Sequence, residues 1–290
     1  MNRENDVFDI WTKREPLAEE IYNKDNYKII DNPHGTRDEC ILYFSSNNIW
    51  FPNTEEAFKH SFVENDYYEW VKYGSTVSKK AIFFRDIYKS WYVTGINRHI
   101  SSIDKLVEFI KKETEGMEVI TVGSSAGGYM ASLIGALVKA KYVICFSAQF
   151  DLNIKGAIGA NPNLKRFEFD SERNKYFNIV EIIKESKVPL FYIMPAYSQS
   201  DSYQRCQIQN CLNCHTIQMR SMHHGVPVLK GNIRELLCLD INEIEALFDA
   251  NQNRIIDRFG FSVQLCGRLK TFSYLKDDVL KLVLKKLRRK

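Results

Sequence analysis

Short apolar runs alternate with amphipathic stretches along most of the chain, and this alternation predicts a β/α succession. Residues 40–44 (Cys-Ile-Leu-Tyr-Phe), 80–84, 119–122, 142–146, 189–194 and 216–220 read as strands, most of them short, apolar and followed by polar or turn-forming residues. Between the second and third, Ile103, Leu106, Val107 and Ile110 recur at helical spacing, with Ser102 as N-cap and Gly116 beyond the end. Residues 130–139 form an apolar helix directly after the third strand. Strands separated by helices imply an α/β fold with a mainly parallel sheet and helices on both faces. Ligands of such sheets bind at the carboxyl ends of the strands.

The connection from residue 146 to 189 spans roughly forty residues, too long for an ordinary αβ link. It predicts a cap insertion, about 151–187, broken at Asn161-Pro162-Asn163 and helical over 176–183. Residues 230–290 predict a helical C-terminal extension. No repeat, low-complexity tract or Pro/Gly/Ser-rich linker divides the chain, so the expectation is one domain over 1–290.

The chain has 290 residues and a net charge of +4, from 40 basic and 36 acidic side chains. That mild balance gives no nucleic-acid signature. The clearest basic run, 285–290, ends an amphipathic pattern formed by Val279, Leu280, Val283, Leu284 and Leu287, and a solvated helix end explains it. The N-terminus lacks the layout of a secretory signal, and no apolar stretch approaches a transmembrane span, so a cytoplasmic location is expected. Seven irregularly spaced cysteines are no disulfide framework, which agrees with a reducing compartment. Oligomeric state is not legible.

The chemistry centres on Gly123, Ser125 and Gly127, a Gly-x-Ser-x-Gly motif between a β-branched run and a helix. This is the pattern of a nucleophile elbow, which lifts one serine hydroxyl above the sheet. The N–H of Ala126, at the start of the following helix, would face a developing oxyanion. A second donor is expected from the loop after residue 44, either the backbone N–H of Ser46 or Asn47 or, more distinctively, the side-chain amide of Asn47.

A serine hydroxyl needs a base, and the base needs a carboxylate to hold its tautomer. His223 and His224 fall in the loop after the last strand, and His224, directly before Gly225, sits at the bend and is preferred. His215 would be fixed within the sheet. Asp201 follows the strand 189–194 by a short loop and is the preferred acid; it could instead simply cap a helix over 202–212. Asp151, one strand earlier, is the alternative. Arg85 and Trp91 follow a strand end, where a partly exposed tryptophan could stack on a sugar ring; the competing reading is a core Trp91 and an Arg85–Asp86 ion pair. Cys206, Cys211, Cys214 and His215 have the residue types of a zinc site but not its spacing. Cys206 to Cys214 are expected to lie within one helix and to be small buried apolar residues, so no metal site is expected.

Gly123-Ser-Ser-Ala-Gly-Gly-Tyr-Met-Ala-Ser, Phe83-Phe-Arg-Asp with Trp91-Tyr92 and Gly95, Cys145-Phe-Ser-Ala-Gln-Phe, and His224-Gly225 resemble α/β-hydrolase-fold proteins of bacterial capsule and surface-polysaccharide loci. The resemblance covers roughly residues 38–228 and is strongest at the elbow. Some members are polysaccharide O-acetyltransferases that work through an acetyl-serine and acetyl-CoA; many others are called hydrolases. It implies Ser125 as nucleophile, Asp201 as acid and His224 as base, with a carbohydrate or other small acyl acceptor. The doubled histidine, the cysteine-rich segment and the C-terminal extension depart from the group's pattern. The resulting expectation is an acyl-transfer enzyme, O-acetyltransferase or esterase, needing no cofactor for the triad itself. The alternative is a non-catalytic glycan-binding or assembly protein that retains the fold.

Overall fold

The computed structural model describes residues 8–11, 15–153 and 162–287, with the side chains of 162, 163 and 277–287 outside that description. Among these residues eight strands form one sheet in the order β1-β3-β2-β4-β5-β6-β7-β8. They are β1 Tyr27–Asp31, β2 Arg37–Phe44, β3 Ser78–Phe84, β4 Val119–Ser124, β5 Tyr142–Phe146, β6 Leu190–Pro195, β7 Cys214–Met219 and β8 Ile255–Ile256. Only β1 runs antiparallel, pairing with β3, and every other neighbouring pair is parallel. The central strands are buried on both faces, which is why they read as unbroken apolar runs rather than alternating ones.

Two apolar layers flank the sheet. One gathers Leu42, Phe84, Leu106, Ile110, Met130, Leu133 and Tyr192 beneath the helices Ile103–Glu113 and Ala126–Val138. The other gathers Tyr43, Phe83, Val122, Ile144, Phe191 and Ile217 against Ile233, Leu236, Ile244 and Phe248. Ser102 caps its helix by accepting from the Lys105 N–H, and Gly116 adopts the left-handed φ of +74° beyond the end.

Three expectations are corrected. The sheet has two more strands than the apolar runs suggested: β1, whose residues are only half-buried, and β8, two residues long. The segment after residue 230 is therefore not only helical, because β8 extends the sheet beside β7. The helix before β7 covers Gln199–Ile208 and ends before Cys211, so the three cysteines do not share one helix. Cys206 is exposed, not buried, and Cys214 opens β7.

Within the connection between β5 and β6, Pro162–Lys165, Ser171–Asn174 and Val180–Ser186 are helical. Asn161 lies outside the described residues, as does the basic run 288–290, and the apolar side chains expected at Val279, Leu280, Val283, Leu284 and Leu287 are likewise outside the description. Among the described residues no helix is long and apolar enough to cross a membrane.

Candidate active site

β4 runs straight into the helix Ala126–Val138, and the turn between them is Ser125, at φ +53° and ψ −122°. That backbone region is strained for a residue with a side chain. The two motif glycines make it reachable. A Cβ on Gly123 would lie 2.1 Å from the carbonyl oxygen of Gly127, and one on Gly127 would lie 2.2 Å from that of Phe44. The tight packing of strand, turn and helix thus excludes any side chain at either position.

Ser125 stands half-buried at the carboxyl edge, its N–H bonded to the Phe146 carbonyl at 2.9 Å. Its Oγ lies 2.8 Å from Nε2 of His224. Nδ1 of the same ring lies 3.0 Å from Oδ2 and 3.1 Å from Oδ1 of Asp201. Asp201 is 1% exposed, whereas the His224 side chain is 40% exposed. A buried carboxylate on Nδ1 requires the proton there, so the Nε2 lone pair faces the serine hydroxyl. The strand order together with this elbow decides the fold.

The chain has the α/β-hydrolase fold.

Asp201 does not cap its helix. Ser198 is the N-cap, and its hydroxyl also donates to Asp201, leaving the carboxylate in the first turn aimed at His224. Asp151, the alternative acid, instead accepts from the Asn178 side chain and from its own loop. His223 is exposed, and its N–H is bonded to Ser221. His215 stacks on Phe191 within the sheet.

At the second-donor loop, Ser46 is already engaged. Its N–H donates to Glu69 Oε2 at 2.6 Å and its hydroxyl to Oε1 at 2.8 Å. Although part of the Glu69 residue reaches solvent, loss of hydration around its carboxyl pushes the pKa up to about 7, against the opposing pull of the Ser46 bonds. The adjacent Asn47 is half-buried, and neither its N–H nor its side-chain amide has a hydrogen-bond partner among the described residues. The loop abuts the elbow helix, since the Gly127 position lies against Phe44 and Ser45. Ala126, fully buried, opens that helix with the N–H that no helical carbonyl can accept.

Arg85 and Trp91 are not where a rim site needs them. Arg85 is 1% exposed, donates to Asn26, Asp66 and the Tyr67 carbonyl, and stacks on Tyr68. It is a structural cation, and its partner is Asp66 rather than Asp86. Asp86 instead accepts from the N–H groups of Tyr88, Ser90 and Tyr92 and so shapes the turn that carries Trp91. Trp91 is 5% exposed, with no open face for a sugar. Its indole N–H donates to Oε1 of Gln149 at 3.2 Å, and Nε2 of Gln149 lies 3.5 Å from Nε2 of His224.

The same turn leads to a cleft of about 420 Å³ whose walls include Trp11, Tyr22, Tyr88, Phe167, Arg166 and Arg173. Arg173 donates to the carbonyls of Val93 and Ser101, and Arg166 to that of Trp11, so backbone acceptors hold both guanidinium groups. From Trp91 to Thr94, another wall residue, is three peptide units, about 10 Å at full stretch.

Gln149, Ser147, Glu69 and Ser198 were not singled out by sequence. Ser147 and Gln149 lie in the loop after β5, within the run 145–150 that carries part of the family resemblance, and Ser198 lies in the loop after β6, whereas Glu69, between two helical segments, had no signal. Among the described residues no cluster of three His, Cys, Asp or Glu side chains is placed to hold a metal ion, and Cys206, Cys211, Cys214 and His215 do not surround a common point.

No family model matches the sequence, and no curated protein matches it either. Solved structures share its architecture at low identity. The capsule O-acetyltransferase of Neisseria meningitidis serogroup A, described with caged gadolinium, is 14% identical over 79% of this chain and 91% of its own, with a TM-score of 0.49. A mutant of that enzyme in complex with CoA is 12% identical over 70% and 86%, with a TM-score of 0.41. The fluorophosphonate-binding serine hydrolase FphF of Staphylococcus aureus is 10% identical over 70% and 89%, with a TM-score of 0.42.

Proposed function

We propose that this chain is a serine-nucleophile acyl-transfer enzyme acting through an acyl-Ser125 intermediate. One observation carries the reading: Ser125 Oγ, His224 and buried Asp201 form a continuous hydrogen-bonded chain at a strained elbow. His224 takes the serine proton as Oγ attacks the acyl carbon, and Asp201 stabilises the imidazolium that forms. The N–H groups of Ala126 and Asn47 receive the oxyanion. His224 then protonates the leaving group, and an acceptor hydroxyl or water reverses the sequence.

The finer reading is O-acetyl transfer to, or ester hydrolysis on, a bacterial surface polysaccharide, with acetyl-CoA as donor. Residues 151–187 act as the cap within a single domain. Tyr129 of the elbow helix supports this by donating to the Tyr176 carbonyl at 2.8 Å, which ties that segment down beside the serine.

The test is labelling with a fluorophosphonate probe, followed by product analysis with acetyl-CoA and a simple acetyl ester, with and without glycan. Labelling that Ser125→Ala abolishes supports the mechanism. A wild-type protein that never labels favours a glycan-binding protein, and ester cleavage without transfer removes the acetyltransferase branch.

A further inference from the structure

Gln149 follows β5 by three residues and is buried beside the Ser125–His224 contact, yet the acyl-transfer scheme above leaves it without a task. Two neighbours independently set its amide. The Trp91 indole is a donor only, so it requires Oε1, and the Ser147 carbonyl is an acceptor only, so at 3.4 Å it requires Nε2. The NH₂ end is thereby turned toward His224 Nε2, 3.5 Å away. The indole reaches Gln149 because Trp91 and Tyr92 adopt φ of +54° and +62°, both strained for aromatic residues, and Asp86 holds that turn. Ser147, at φ +43°, contributes the carbonyl. Three strained residues around one neutral amide mark a position that the fold pays to keep.

We propose that Gln149 is a further catalytic residue, whose Nε2–H donates a hydrogen bond to the oxygen that exchanges its proton with His224: the acceptor hydroxyl or water in deacylation. Trp91 is its positioning residue. The inference rests on the acyl-serine reading and adds the acceptor side to it.

An acceptor oxygen must come within about 3 Å of Nε2 to give up its proton, and such a point can lie within hydrogen-bond reach of the amide as well. In that step the acceptor O–H proton passes to Nε2 while an oxygen lone pair bonds to the acyl carbon and the carbonyl π pair moves to its oxygen. The pair returns as the bond from carbon to Ser125 Oγ breaks, and Oγ takes the proton from Nε2. Gln149 holds the attacking oxygen with its lone pair directed at the carbon, competing with bulk water for that orientation. A neutral amide suits water or an alcohol better than a thiol, a weak hydrogen-bond acceptor, so the site favours oxygen acceptors.

Hydrolysis of p-nitrophenyl acetate separates the half-reactions, because its leaving group needs no proton. Gln149→Met, of similar size, is expected to keep the rate of acyl-enzyme formation within about threefold and slow deacylation about 10- to 100-fold. Acetyl-Ser125 then accumulates at steady state, read by quenching and mass spectrometry. Gln149→Glu keeps the length and the acceptor for Trp91 but removes the donor, and should show the same loss. Trp91→Phe should slow deacylation by less. Normal acylation and normal deacylation in both Gln149 variants would overturn the inference while leaving the acyl-serine reading intact. A wild-type protein with no Ser125-dependent acetyl-enzyme would overturn both.

Discussion

Ser147 clamps Gly225 from both sides: its Oγ donates to the glycine carbonyl at 2.7 Å and accepts from the glycine N–H at 3.0 Å. One hydroxyl at the end of β5 thus fixes the peptide units that flank the residue after His224. The glycine itself stands at φ +118°, with open space where a Cβ would lie. The 40% exposed imidazole therefore owes its aim at Ser125 to its loop, held from β5, and to Asp201.

Removing this clamp tests whether loop geometry limits the rate. Ser147→Ala deletes one donor and one acceptor at a partly buried site, a loss of about 1–3 kcal/mol. Turnover should fall about tenfold or more, with a smaller change in KM, measured by steady-state kinetics beside thermal melting. Wild-type turnover in Ser147→Ala would mean that Asp201 alone orients the ring.

Within the hydrogen-bonded chain, the three side chains should not be equivalent. Ser125→Ala removes the covalent step altogether. Asp201→Asn keeps the packing but favours the wrong tautomer of His224, and should lower turnover by about 10⁴-fold. Combining Asp201→Asn with His224→Ala should cost little more than the greater single loss, because residues acting as a unit are not additive.

The elbow glycines predict a loss of stability. At Gly127 a methyl group would meet the backbone oxygens of Phe44 and Ser45 at 2.2 and 2.9 Å, and backbone cannot rotate away as a side chain can. Gly127→Ala should cost about 1–3 kcal/mol or more, as overpacking does, and displace the loop carrying Asn47. Urea denaturation measures the first effect, and loss of fluorophosphonate labelling the second.

Glu69 gives a pH dependence of stability. Its folded pKa of about 7 lies above the ordinary value of 4.5, so between these limits the folded state holds a proton that the unfolded state releases. Its contribution to stability is present below about pH 4.5, falls as pH rises through about 7, and is constant above. Glu69→Gln removes that titration. The difference in unfolding free energy between variant and wild type should therefore move in the variant's favour from pH 5 to pH 8, measured by denaturation at each pH.

Arg85→Ala should act on stability rather than on substrate affinity. Its guanidinium lies under Tyr68 and Phe62 and bonds to Asn26 and to Asp66, whose carboxyl is held below the usual range, against the effect of burial, first by the Lys28 hydrogen bond and then by the Arg85 charge. A lowered melting temperature with unchanged KM is expected in kinetic and thermal assays.

Much of this was determined by the order of residues alone. Buried parallel strands must be apolar on both faces, so β2 to β6 announce themselves as short runs, whereas the half-buried β7 alternates buried Ile217 and Met219 with less buried Gln218. An elbow this tight tolerates no Cβ at the positions two before and two after its serine, so Gly123 and Gly127 mark Ser125 without coordinates. The half-buried β1 and the two-residue β8 have no such signature, because edge pairing uses backbone groups that every residue carries. Only the tertiary structure brings His224 rather than His223, and Asp201 rather than Asp151, into the hydrogen-bonded chain at Ser125, since each contact turns on where a loop aims a side chain. It also moved Arg85 and Trp91 from the rim to the interior and brought Gln149 to His224 across 75 positions of chain. Such contacts join residues from different loops, and no local periodicity encodes them.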